Sequence, residues 1–164
     1  FTSRLNMNLR EDKHWAYGAG SALVDTNAQR PWVIYTRVES DQTAASMREI
    51  AYELRRLQSR GSVTAAEVQH AARNRALKLP GQHETTSQRT ASLGRIVRGE
   101  RPADHYATLP TRLDALTAGQ TTEAARKHFA ADSLSWIIVG DLKRIRKDID
   151  ALGWADSIVD EGRP

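Results

Sequence analysis

The stretch "SRLNMNLREDKHWAYGAGS", residues 3–21, changes its period in the middle, and that change decides the fold. Leu5 and Leu9 stand four apart with Met7 between them, in a run without Gly or Pro, which predicts a short amphipathic helix ending near Asp12. From Trp15 to Asp25 the pattern alternates in twos. Trp15, Tyr17, Ala19, Ser21 and Leu23 fall on one strand face, while Ala16, Gly18, Gly20 and Ala22 leave the other almost without bulk. A face that bare predicts something large lying close against it, a helix or an extended peptide. "DTNAQRP" at 25–31 supplies turn residues and "WVIYTRVES" at 32–40 resumes the alternation, so residues 15–40 read as an antiparallel hairpin with a long loop.

Beyond Asp41 the period is mostly helical. Met47, Ile50, Leu54 and Leu57 recur at three and four, and Gly61 marks the stop. Thr64 with Glu67 has the spacing of a capping box and opens a helix running to about Leu79, where Pro80 and Gly81 break it. Another helix begins near Thr85 or Thr86, turns Leu93, Ile96 and Val97 inward and ends at Gly99. "ADHYATLPTRLDAL" at 103–116 predicts a helix interrupted at Pro110. Thr117 and Gln120 repeat the capping-box spacing before a helix with Ala124, Ala125 and Phe129 on one side. "LSWIIVG" at 134–140, a nearly continuous apolar run, predicts a buried strand; Asp141 then caps a last helix, with Ile145, Ile149 and Leu152 on one stripe and Gly153 at its end. The order of helix, two strands, about five helices, strand and helix predicts an α+β fold, helices covering an antiparallel sheet.

Composition narrows the function classes. A chain of 164 residues can bury about 70% of the surface its unfolded form exposes, so one folded unit is expected. With 40% apolar and 27% charged residues and no long apolar run, the sequence predicts no membrane span. Without cysteine there are no disulfides and no thiolate zinc sites, which leaves the compartment open. The net charge of +4 is a small excess spread among acids, which argues for a solvated basic surface rather than a nucleic-acid site. The chain opens without methionine or signal peptide, directly into the predicted helix, and is read as a piece of a longer polypeptide.

His14, His70, His83, His105 and His128 are scattered, with no H-x-x-E-H or H-E-x-x-H spacing, so no metal is predicted in this chain; Glu67 and His70 alone supply too few ligands. "GAGSAL" at 18–23 lacks the third small residue of a dinucleotide fingerprint and continues as a strand, where a phosphate needs a helix N-terminus. No nucleophile elbow occurs. Arg10 and Tyr17 remain. An arginine offers a fixed fork of donors for carbonyls or carboxylates, and a tyrosine hydroxyl is a neutral donor to an oxyanion. Spacing alone leaves open a plainer reading, a surface ion pair for Arg10 and a half-buried Tyr17 with its hydroxyl in water.

Residues 1–21, "FTSRLNMNLREDKHWAYGAGS", resemble the signature of the pitrilysin and insulin-degrading enzyme (insulinase) family of zinc peptidases, in the later homologous domain that does not bind zinc. "VTAAEVQHAARNRALKLPGQHETT" at 63–86, "LDALTAGQTTEAARKHF" at 113–129, "SWIIVGD" at 135–141 and the tail "IDALGWADSIVDEGRP" at 149–164 lend support along the rest of the chain. The resemblance implies the C-terminal portion of a mitochondrial-processing-peptidase-like metallohydrolase domain, with the domain's first strands missing. It also implies an inverzincin H-x-x-E-H zinc site elsewhere in the parent, a peptide substrate, and an isolated chain that is inactive. Carried over, Arg10 would grip a substrate carbonyl and Tyr17 would act catalytically, stabilising the tetrahedral oxyanion.

A bacterial periplasmic setting follows only from the resemblance. His14 departs from the pattern, standing where the family usually has a glycine in a left-handed turn, and so affects how Tyr17 is placed. An incomplete sheet exposes an edge, so two copies are expected to pair in isolation. The rival from another class is a noncatalytic structural or peptide-binding subunit of the same fold; a basic module binding nucleic acid is the third.

Overall fold

Three helix starts are written in the sequence as reciprocal caps, and all three are found in a computed structural model of the chain, which describes residues 3–24, 29–129 and 131–154. Thr64, Thr85 and Thr117 each accept from the backbone three residues on, and Glu67, Gln88 and Gln120 reach back to the cap's own N–H. Each box satisfies two amides that the first helical turn cannot pair internally. The helices so started are α3 (Ala65–Leu77), α4 (Thr86–Val97) and α6 (Ala118–His128). Before them come α1 (Arg4–Asn6), the strands β1 (Ala16–Leu23) and β2 (Trp32–Val38), and α2 (Thr43–Gln58); α5 (His105–Asp114) and α7 (Leu142–Asp150) complete the set. The chain is thus α+β, with a two-stranded antiparallel sheet among the described residues. The end of the first strand at Asp25, part of the following turn and the tail beyond Trp154 lie outside the described residues.

The chain divides into two compact units, Phe1–Arg55 with Ala131–Pro164, and Arg56–Ala130, where a single unit was expected. In the first, α2 turns Ala44, Met47, Ile50, Ala51 and Leu54 inward, as its spacing predicts, and Leu9 and Ile145 are buried in the same unit. Arg144 of α7 pairs with Asp41 at 2.7 Å, and Arg55 of α2 with Asp132 at 2.9 Å. Both pairs are exposed, so each contributes at most about 1 kcal/mol.

In the second unit α3 packs on α5 and α6, burying Val68, Ala72 and Ala125. The rings of His83 and His105 meet Tyr106 edge-on at 4.8 and 5.0 Å. Burial, with Arg101 and Arg112 near, holds His105 below the usual histidine range. Pro110 lies inside α5 instead of interrupting it. A proline five residues past the first helical position removes one ladder bond and can be carried by the packing of the rest.

The inward stripe expected on α4 is not found, because Leu93 is 61% and Val97 85% exposed. Two further expectations need correction. The first is the strand at 134–140, which does not pair with any strand among the described residues. Its backbone stays outside regular secondary structure, with Ile137 93% and Val139 96% exposed. An apolar run becomes a strand only beside another strand, and the described sheet ends at β1 and β2.

The second concerns the faces of β1. Ala16 pairs with Val38 and Ala19 with Thr36, so Tyr17 and Gly18 together oppose Arg37 alone. This β-bulge adds one residue to the count, and the face holding Trp15 and Tyr17 does not continue into Ala19. The bulk against the bare face comes in part from a helix, as expected, since α1 packs on β1, and in part from β2. It is the Tyr35 ring, 2.6 Å from where a Cβ at Gly20 would stand, and the Asn6 amide oxygen, 3.4 Å from one at Gly18. A side chain at Gly20 would require the exposed Tyr35 ring to move from its place across the strand.

Candidate functional site

Arg10 and Tyr17, seven residues apart, meet through two irregularities in the chain. The first is a π-helix. Ser3 caps α1, and from Met7 to Asp12 the helix widens, so that the Lys13 N–H donates to the Asn8 carbonyl five residues back at 3.1 Å. Widened turns of this kind are found often at functional sites. Here the turn carries Arg10 on one side and the fully buried Leu9 on the other.

The second irregularity is the bulge, which re-aims Tyr17. Its ring is 86% exposed, and its hydroxyl makes no hydrogen bond among the described residues. The Arg10 guanidinium carbon lies 5.7 Å from the ring centroid. A cation over an exposed ring is worth about 0.5–1 kcal/mol, enough to favour one relative pose. Arg10 also pairs with Glu11 at 3.4 Å. The plainer reading of the sequence is therefore half right: Arg10 does make a surface ion pair, but Tyr17 is far more exposed than half-buried.

Between helix and strand His14 has φ 57°, the one non-glycine residue in the left-handed region among those described. This is the turn at which the sequence predicts a glycine-like conformation. It lets the Trp15 N–H return to the Leu9 carbonyl at 2.9 Å. A Cβ in this region costs about 1–2 kcal/mol. His14→Gly is expected to stabilise the chain by about 1 kcal/mol, the relief being partly offset by glycine's greater freedom when unfolded. Urea denaturation of the two chains checks the sign.

The sequence reading missed what holds this loop in place. Asn8 donates to Glu49 at 2.8 Å and to Glu53 at 3.2 Å, both on α2, and Lys13 pairs with Glu49 at 3.3 Å. Lys13 also lies 5.2 Å from the Trp15 ring centroid. Glu53 is buried, and its i, i+4 partner Glu49 shares its face, so two adjacent acids on the inward side of α2 were the available signal. On the strand side Asn6 and Thr36 bind the β1 backbone at Ala19 and Gly18.

The site contains donors and no ligand set. Among the described residues no group of three or more His, Asp or Glu side chains could hold a metal ion. What the arrangement offers is an arginine fork and a neutral hydroxyl on one face, suited to main-chain carbonyls and to an oxygen that gains negative charge.

No helix among the described residues is long and apolar enough to cross a membrane. Residues 1–75 match the family model described as the Peptidase M16 inactive domain, a span that includes the π-helix, the hairpin and α2. Neither a curated protein nor a solved structure shows significant similarity to the chain.

Proposed function

We propose, from the match of residues 1–75 to the Peptidase M16 inactive domain, that this chain is a non-catalytic part of such a protease and faces the substrate opposite a zinc site borne elsewhere in its parent. The observation that carries the reading is the pairing of Arg10 with an almost fully exposed Tyr17 at 5.7 Å. Arg10 would donate to a carbonyl of an extended peptide. Tyr17 would donate to the carbonyl oxygen as it becomes an oxyanion, adding no charge of its own. The metal, when present in the other half, supplies the activated water. This chain contributes orientation and a positioned hydrogen bond.

The test is peptide hydrolysis by the complete zinc-bearing parent, wild type beside Tyr17→Phe, with zinc measured on both. Loss of turnover at constant zinc supports the reading. An indifferent variant overturns it in favour of a peptide-binding or structural subunit.

In isolation the chain is proposed to form a homodimer along residues 134–139. The segment has no charged residue, and Ile137 and Val139 are almost wholly exposed. Uncharged apolar edges of this kind pair with one another unless something blocks them. Light scattering is expected to show a dimer at high concentration and a monomer for Val139→Lys; a wild-type monomer would refute the pairing.

A further inference from the structure

The outer edge of β1 has a partner that is not a strand. Asn6, buried on α1, accepts from the Ala19 N–H at 3.0 Å and donates to the Ala19 carbonyl at 2.6 Å, so one side-chain amide takes both bonds that a neighbouring strand residue would take. Its amide nitrogen also donates to the Ser3 hydroxyl at 2.9 Å, which fixes the side chain to the helix cap. From the other side of the strand, the Thr36 hydroxyl of β2 donates to the Gly18 carbonyl at 3.0 Å. The bulged residues Tyr17 and Gly18 therefore lie directly before a backbone clamped from both sides.

We infer that Asn6 is a positioning residue: its amide locks the bulge and so sets where the Tyr17 hydroxyl stands relative to Arg10. The reason is geometric. A bulge is a local choice of which residue is left out of the ladder, and shifting it by one position would turn Tyr17 to the other face. Pairing of Ala19 with an amide fixed to the helix that carries Arg10 removes that choice. It also links the two halves of the site by a contact much shorter than the path through His14. Gly18 lies beside the same contact, the Asn6 oxygen being 3.4 Å from where a Cβ would stand, an ordinary van der Waals distance.

This inference rests on the peptidase reading for its kinetic consequence but not for its structural one, and two measurements separate them. In the chain itself, Asn6→Asp keeps the acceptor and loses the donor, setting a carboxylate against the Ala19 carbonyl. The variant is expected to lose the nuclear Overhauser contacts between Arg10 and the Tyr17 ring and to speed amide exchange at Ala19. Retention of both would overturn the inference. Should Asn6→Asp not fold, Asn6→Ser, too short to span both Ala19 groups, is read the same way.

In the zinc-bearing parent, Asn6→Asp is expected to lower kcat about 10- to 100-fold with Tyr17 present and to add nothing in a Tyr17→Phe background. Equal losses in both backgrounds would make Asn6 structural only and overturn the positioning role. An indifferent Tyr17→Phe would remove the peptidase reading and leave the spectroscopic measurement to decide the inference.

Discussion

Tyr17→Phe in the complete, zinc-bearing parent is expected to lower kcat by about 100- to 1,000-fold, with zinc content and KM close to wild type. The size follows from the kind of contact. A hydroxyl aimed at an oxygen that becomes charged only in the transition state contributes little to binding the neutral substrate, so its removal appears in turnover. Phenylalanine keeps the ring and hence the packing against Arg10 at 5.7 Å, so the loss isolates the hydroxyl. Exposure makes the substitution safe for folding: Tyr17 is on the surface, and its hydroxyl has no bond to lose among the described residues. A rise in KM at unchanged kcat would instead place Tyr17 in ground-state binding, where Arg10 is the stronger candidate. No change in either would leave the pair as inherited scaffold.

How far the sequence carries this argument depends on the range of each signal. Helix starts were legible because a capping box is complete within four residues; Thr64 and Thr117 needed no tertiary information, while the box at Thr85 was read only as a start near Thr85 or Thr86. The helix stops at Gly61, Gly99 and Gly153 were legible for the same reason, and all three have positive φ. The conformation at His14 was readable only against a pattern that has glycine there, since a lone histidine gives no hint of φ 57°.

What failed was non-local. Alternation from Trp15 to Leu23 looks unbroken, and only the pairing with β2 shows the extra residue at Tyr17 and Gly18. The 134–139 run has the composition of a core strand, but composition cannot say whether a neighbouring strand is at hand. Asn6 looked like an ordinary polar position beside Leu5. A buried asparagine becomes informative only when the backbone it binds, thirteen residues on, is in view.

Leu9→Ala is expected to destabilise the first unit by about 3 kcal/mol and, unlike a matched change elsewhere in that unit, to impair the site as well. Leu9 is 0% exposed, so truncation both loses transfer free energy and leaves a cavity, a combination that costs about 2–5 kcal/mol. Ile145→Ala on α7 removes a similar buried volume and should cost about the same, which makes it the control. The difference lies in what each residue supports. Leu9 sits between Asn8, which ties the π-helix to α2, and Arg10, and its carbonyl receives the Trp15 N–H that closes the left-handed turn.

A helix that can sink into a cavity at Leu9 changes the reach of Arg10 and the anchoring of Asn6. One that loses Ile145 keeps both. Denaturation should therefore rank the two variants together, while peptide hydrolysis by the parent, measured well below either melting temperature, should separate them, with Leu9→Ala the slower. Equal activity at equal stability loss would mean that the π-helix holds its shape without Leu9. The precision of the Arg10–Tyr17 pair would then come from the polar contacts alone, Asn8 on α2 and Asn6 on β1.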